Sequence, residues 1–554
     1  MKLRSVACGL ALVSLAACQS PAPQPPAHAA ASQNQPIVPI AKPPPTLATA
    51  IQIAADLGPS GKETTVSLSF ALKVRNQREL DRLLGRGAVV SPAEFGARFA
   101  PDPAQVGRAV SALQAAGFQA SWPAQSSLIQ ADGPAPAAAA LLGIGIETYR
   151  LPNGSTFYAS LDQPVLPPSL AAVITSVSGL DNYHRTRTFA VKPGGLVPND
   201  VLAYYNLKPL RDAGLDGTGQ TIVLPEIDDL PNLNDLNKFA AKYGLPPFNE
   251  VLTIKKNTTW GTPMKPQGET VLDLEIIHAV APKAQLVVYI SAPDFSHSSR
   301  AFDQMVTDHL GSIISESLGS CEPDTPAGAR NVYASIQDRA LAIGMSHFVA
   351  SGDSGAFTCG IDKDPAGSFP STLPSVTAVG GTTVFESKEG LYFKEYAWGS
   401  PLDETGGGGG ASQFYPAPDY QKNVGQSIAR GLRQVPDVSA DGDPMTGFHI
   451  LFGGKEGQAG GTSAATPLWA ATVALINQDL KKKGLREVGF ANPALYWMGD
   501  NLAKLNPKPF HDVTTGNNLG FAATTGWDFA TGWGSMDAAA LDAAWVTYIK
   551  SGGG

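Results

Sequence analysis

A doubly wound α/β domain built on a parallel sheet, preceded by a smaller ferredoxin-like α+β domain, is the architecture this 554-residue chain predicts. Three observations carry it. From Leu196 to about Ile549, short apolar runs alternate with longer stretches of helical spacing, as a parallel sheet with crossover helices requires. Before that, over 63–182, the period changes: Val66, Leu68, Phe70, Leu72 and Val74 alternate strictly, as a half-buried strand does. Third, Gly460-Gly461-Thr462-Ser463-Ala464-Ala465-Thr466-Pro467 runs from glycines into an apolar helix, with a serine at its entry and Pro467 expected in its first turn.

The elements follow in chain order. Lys2 and Arg4 precede a short apolar run over 6–17, the pattern of an export signal. It ends in Leu15-Ala16-Ala17-Cys18, which resembles a bacterial lipobox and would make Cys18 a lipid-bearing N-terminus. A plain secretory peptide with an unmodified cysteine is the alternative, and on either reading the protein is exported from a bacterium. Residues 19–60, rich in Pro, Ala, Gln and Ser, read as a linker. In the 61–182 domain, Val106, Val110 and Leu113 repeat at helical spacing, and short strands are expected over 127–131, 147–150 and 156–160. Residues 183–197 hold Arg185, Arg187, Lys192, Pro193, Gly194 and Gly195 and read as an exposed, cleavable connector. In the domain over 198–550, strands are expected at 221–224, 285–290, 312–316, 347–351 and 375–379. Helices are expected at 272–280, 330–343 and 463–478.

Composition narrows the function classes. With 43% hydrophobic residues the chain can bury more than one core. A net charge of −8 argues against nucleic acid as a partner. No mature stretch is long and apolar enough to span a membrane. Of four cysteines, Cys8 leaves with the signal and Cys18 belongs to the lipobox. In an exported protein the remaining Cys321 and Cys359 favour a disulfide.

A hydroxyl at the entry of a helix has free backbone donors and the positive end of the dipole beside it, which suits a nucleophile whose product is an anion. It needs a base. None of the eight histidines (His28, His184, His278, His297, His309, His347, His449 and His511) stands in the His-Gly-Thr setting of a subtilisin base. Carboxylates are the other source. Glu269 and Asp273 open a helix four residues apart and so share a face, where two acids raise each other's pKa. The helix is otherwise apolar; Glu275 lies off that face and is expected at the surface. Asp353, in Ser351-Gly352-Asp353-Ser354-Gly355, follows a buried strand into a glycine-bounded loop. Solvated helix acids, an Asx turn and an ordinary N-cap serine are the bland readings of these three motifs.

Taken in the order Glu, Asp, Asp, Ser, these motifs resemble the sedolisin family of serine-carboxyl peptidases, kumamolisin-like members in particular. The resemblance runs from about Leu196 to the C-terminus, and 61–182 is similar to that family's activation prodomain. It implies a subtilisin-like catalytic domain, with Ser463 as nucleophile, Glu269 as general base, Asp273 behind it and a protonated Asp353 donating to the oxyanion. A carboxyl base beside a neutral carboxyl donor implies action in acid. Glu226 matches an acid that extends this chain behind Asp273. The family's next partner, a tryptophan, is Leu318 here, in Ser315-Glu316-Ser317-Leu318-Gly319.

The resemblance also implies one structural Ca²⁺, held by Asp512 and Asp528 side chains and the carbonyls of Val513, Thr524 and Gly526, hard oxygen donors that suit this ion. The glycine-rich run 406–410 would line the substrate cleft, and Asp437 would be structural. Protein or peptide substrates and the chain's own prodomain, as an intramolecular inhibitor, are the expected partners of a monomer. Two rivals stand beside this reading: a subtilisin-like enzyme with a histidine base, and a non-enzymic peptide-binding protein on the same fold.

Overall fold

The computed structural model describes residues 47–554 apart from 87, 124–125, 153, 184–190, 193–194, 263–267, 388–389, 426–428 and 554. The export signal, Cys18 and most of the 19–60 stretch lie outside these residues.

In the N-terminal domain, β1 (Thr65–Leu72), α1 (Pro103–Ala115), β2 (Gln119–Ser121), β3 (Leu128–Pro134), α2 (Ala135–Leu142) and β4 (Ile174–Ser178) follow one another. The strands form an antiparallel sheet in the order β2-β3-β1-β4, the ferredoxin-like arrangement. Asp102 caps α1 by accepting from Ala104 N, with Pro103 opening the helix. One face of the sheet packs under α1 and α2. The reading of 19–60 as linker needs correction at its end: Leu47–Ile53 is helical, and Ala55–Pro59 pairs with Glu147–Arg150 in a separate small sheet. Ala55–Pro59 is largely exposed and carries no alternating apolar pattern, so pairing rather than burial makes it a strand.

The C-terminal domain opens with α3 (Pro198–Tyr204). It continues through β5 (Thr221–Ile227), β6 (Leu252–Lys255), α4 (Glu269–Val280), β7 (Gln285–Ser291), α5 (Phe295–Asp308), β8 (Ile313–Glu316), α6 (Ala327–Ala342), β9 (Ser346–Ala350), β10 (Thr377–Glu386), β11 (Tyr392–Ala397), β12 (Val438–Asp441), β13 (Phe448–Phe452), β14 (Lys455–Ala459) and α7 (Thr462–Lys482). The main sheet runs β6-β7-β5-β8-β9-β10, all parallel; β10 then pairs with β12 in parallel and with β11 antiparallel. Its central strands are buried on both faces, as parallel strands covered by helices must be. Helices α4 and α7 pack on one face, α5 and α6 on the other. Cys321 and Cys359 form a disulfide. No helix among the described residues is long and apolar enough to cross a membrane.

The N-terminal sheet lies on α5 and α6, where Ala71 and Leu128 join their apolar core. Polar contacts pin it there. The buried Arg300 guanidinium donates to Asp132 Oδ1 at 2.8 Å and to Leu68 O at 3.1 Å. Asp303 accepts from Ser126 Oγ at 2.5 Å and from Ser127 N at 3.0 Å, with Arg339 beside it.

Candidate active site

The chemistry-bearing residues meet where the sheet's strands end. Gly268 opens α4 with φ 96°. Asp229, just beyond β5, caps the helix by accepting from Gly268 N and Thr270 N through Oδ2, each at 3.0 Å. That cap fixes the first turn and with it Glu269; one turn on, Asp273 is fully enclosed.

Behind them, Glu226 on β5 accepts from Thr270 Oγ1 at 3.2 Å. The carboxyls of Glu226 and Asp273 are close neighbours behind the site, two enclosed acids of which one keeps its proton more readily for the other's presence. Burial raises both well above the usual carboxylate range; in Glu226 the neighbouring Asp273, Glu269 and Asp229 add to it. Ser317, at the end of β8, points its hydroxyl at Asp273, 2.8 Å from Oδ2 and 3.0 Å from Oδ1.

Ser317 Oγ also lies 3.1 Å from Ser463 O. The reason is Pro467. It stands at the sixth position of α7 and not in its first turn. There it lacks the N–H that would bond to the carbonyl four residues back, that of Ser463. The freed carbonyl is met by Ser317, so the proline links the serine's backbone to the acid chain. Ser463 Oγ lies 3.5 Å from Ser317 O, long for a hydroxyl donor.

On the other side, Asp353 follows β9. Its Oδ1 accepts from Thr462 N at 2.7 Å and Thr462 Oγ1 at 2.9 Å. Burial pushes its carboxyl up to about 6, against the Thr462 bonds that favour the charged form. The run 406–410 packs against this loop: Gly406 N donates to Asp353 O and Gly408 N to Gly352 O. A Cβ at Gly408 would stand 1.9 Å from Ser351 O, so close approach of two backbones dictates the glycine.

The described histidines are engaged elsewhere. His278 Nε2 bonds to Pro246 O, and burial lowers its pKa to about 4. His297 pairs with Asp294, His347 with Gln337 and Glu316, His449 with Tyr243, and His511 with Ser535. His309 ends α5. Glu275, expected at the surface, is buried and accepts from Leu451 N, because β13 covers that side of α4. Asp437 binds Arg433 in a buried, two-pronged ion pair, a structural role.

At the tail, Asp512 accepts from Gly526 N at 3.0 Å, and Asp528 from Thr524 N at 2.7 Å and from Ala530 N and Thr531 N at 2.9 Å. Val513 is buried next to Asp512. Burial raises Asp528 to about 6, and among the described residues neither aspartate forms an ion pair. Two carboxylates without a cationic partner are hard oxygen donors of the kind that suits a hard cation. No group of three or more His, Cys, Asp or Glu is gathered for a metal among the described residues.

Ser317, Thr462 and Asp229 complete the site although the motifs did not single them out. Ser317 and Thr462 stand inside the runs that carry the motifs, but a serine or threonine there reads equally as an ordinary strand end or cap. Asp229 carries only the weak signal of a carboxylate shortly after a strand.

A serine opening a helix over a parallel sheet, with buried carboxyls gathered where the strands end, is the arrangement of a subtilase-like serine peptidase. Comparisons agree. The Pro-kumamolisin activation domain matches residues 53–183 and the subtilase family residues 255–534. Sedolisin of Pseudomonas sp. (strain 101) is 32% identical over 88% of each chain. Kumamolisin of Bacillus sp. (strain MN-32) is 31% identical over 87% of this chain and 92% of its own. A solved structure of Pseudomonas sedolisin, a serine-carboxyl proteinase complexed with pseudo-iodotyrostatin, matches with TM-score 0.56 at 31% identity, covering 66% of this chain and all of that one. The chain belongs to the sedolisin family of serine-carboxyl peptidases and carries that family's activation prodomain.

Proposed function

We propose that the protein is an exported, acid-acting endopeptidase made as a self-activating zymogen, working through Ser463, Glu269, Asp273 and Asp353. One observation carries this reading: the Ser317 hydroxyl joins the enclosed Asp273 carboxyl to the backbone of Ser463, between the entries of α4 and α7. In the reaction, Ser463 Oγ attacks the substrate carbonyl carbon while Glu269 takes the hydroxyl proton. Asp353, protonated, donates to the oxyanion alongside a backbone N–H near Ser463. Collapse breaks the C–N bond, and Glu269 returns its proton to the leaving amine. Water then attacks the acyl-enzyme by the same route, freeing the acid and restoring Ser463. Asp273 orients Glu269, and Glu226 stands behind Asp273. Raised carboxyls at Asp353, Asp273 and Glu226 support work in acid.

The zymogen reading rests on the docked prodomain and on the connector's exit. Val191–Lys192 pairs antiparallel with β14 at Ala459 and Gln458, so the chain leaving the connector runs beside the strand that leads into Ser463. Cleavage within 183–197 would free the prodomain. The disulfide fits an exported protein. A lipid on Cys18 would sit on the prodomain side of the cut, so maturation would release the catalytic domain; Cys18→Ser would then alter where the precursor resides but not the mature form. Asp512 and Asp528 with the carbonyls of Val513, Thr524 and Gly526 would hold Ca²⁺, which would tie the tail loop together. The test of the whole is to purify the protein at neutral pH and shift it to about pH 4, where carboxyls titrate. Wild type should shed its N-terminal domain, and Ser463→Ala and Glu269→Ala should not. Shedding by either variant would refute the assignment.

A further inference from the structure

Asp353 can donate to an oxyanion only if its proton sits on the oxygen that faces the substrate. A carboxyl has two oxygens, and something must choose between them. Thr462 stands where that choice is made. Its N–H and its hydroxyl both reach Oδ1, at 2.7 and 2.9 Å. The hydroxyl in turn accepts from Gly352 N at 3.0 Å, which turns its own hydrogen away from that amide. Two acceptors remain for that hydrogen, Asp353 Oδ1 at 2.9 Å and Gly352 O at 3.2 Å, and the carboxyl oxygen is the nearer. An oxygen that already receives one or two hydrogen bonds is a poor place for a proton, because an O–H there would meet donors head on.

The other oxygen, Oδ2, lies over Gly461, where a Cβ would come within 2.7 Å of it. Among the described residues it accepts no hydrogen bond. Gly461 has φ 104° and lies in the glycine turn that leads through Thr462 into Ser463. The two oxygens thus have opposite environments, one filled with donors and one facing bare glycine.

We propose that Thr462 is a positioning residue that assigns the proton of Asp353 to Oδ2, aiming the donor at the oxyanion while Oδ1 stays an acceptor. This rests on Asp353 being the oxyanion donor. Without the hydroxyl, Oδ1 keeps only the backbone bond; the proton then divides between the two oxygens and the carboxyl can rotate. The serine before the substrate is untouched, so substrate binding should change little while the charge-developing step slows. The lost bond also favours the ionised form, so its removal should extend activity to higher pH.

The test compares mature wild type with Thr462→Val, which keeps shape and backbone N–H, and Thr462→Ser, which keeps the hydroxyl. kcat and KM are measured on one peptide from pH 3 to 7. Valine should lower kcat about tenfold or more at the optimum, leave KM within about twofold, and move the alkaline limb up by about one pH unit, the worth of one hydrogen bond to a charged group. Serine should restore both values. Thr462→Ala is run beside it in case the valine methyl is not accommodated, and melting temperatures verify that each variant is folded. An unchanged kcat, an effect confined to KM, or a limb that stays put in a folded valine or alanine variant would overturn the proposal. Asp353→Ala separates this from the parent reading: if it keeps wild-type kcat, Asp353 is no oxyanion donor and the parent assignment fails first.

Discussion

Glu395, outside the site, sets an upper pH limit on the fold. It lies on β11, fully enclosed, with Thr382 and Asp441 from the adjoining β10 and β12 on the same face of the sheet. Neither of its oxygens gains a protein hydrogen bond, nor does Asp441 Oδ2 or Thr382 Oγ1. Burial raises Glu395 from an ordinary 4.5 to about 8, with only the Ser535 and Thr382 hydroxyls nearby to support its charge. Burial lifts Asp441 as well, and Glu395 adds to it. The folded pKa lies above the unfolded one, so the stabilisation is complete below about pH 4.5 and is lost as pH rises through 8. At 1.36 kcal/mol per decade, a move from 4.5 to about 8 is worth up to about 5 kcal/mol for this group alone, a large share of a domain's stability. Urea midpoints of the Ser463→Ala precursor, which cannot digest itself, should fall steadily from pH 5 to 8. Glu395→Gln should flatten that fall by the slope of about one proton. An unchanged slope in a folded Glu395→Gln variant would refute the reasoning.

Three further outcomes follow from the same geometry. Ser317→Ala removes the hydroxyl that bridges Asp273 and the Ser463 carbonyl, its single hydrogen serving one of the two; kcat should drop by about thirtyfold, or about 2 kcal/mol, with KM little changed in steady-state assays. Arg300→Ala deletes the buried cation under the prodomain, whose partner Asp132 keeps 35% exposure, so the loss should stop near 2 kcal/mol. Acid-triggered shedding, followed on gels, should then be faster while mature kcat/KM stays the same. Chelation of Ca²⁺ should lower the melting temperature of the mature enzyme, and Asp528→Asn should lower it likewise and abolish the chelator's further effect.

Much of the fold was legible because its signals are local. The alternation from Val66 to Leu72 and the apolar runs at β5, β7 and β9 each declare a strand from a few neighbouring residues. Ala55–Pro59 and Ile174–Ser178 were not legible, since pairing with distant partners, not pattern, makes them strands. Within the site, Glu269, Asp273, Asp353 and Ser463 stood out because each sits in an otherwise apolar or glycine-rich setting. Glu275 misled for the same reason in reverse: helical spacing placed it off the acidic face, but β13, remote in sequence, closes over it. Pro467 was visible as a helix residue, yet its consequence, a freed Ser463 carbonyl met by Ser317, needs both strands of the argument in one place. Asp229 is a cap supplied from another segment, which sequence spacing does not encode.

The central claim is that a carboxylate, and no histidine, activates Ser463. It is tested most directly by kcat/KM of the mature enzyme from pH 3 to 7 for wild type, for Glu269→Gln with its prodomain removed by an added protease that is then separated, and for His278→Ala, His278 being the histidine on the same helix as Glu269. The account predicts an acid optimum, a loss of at least about a thousandfold in Glu269→Gln, and near-wild-type values in a folded His278→Ala enzyme. A neutral optimum, or activity that survives Glu269→Gln, would contradict it.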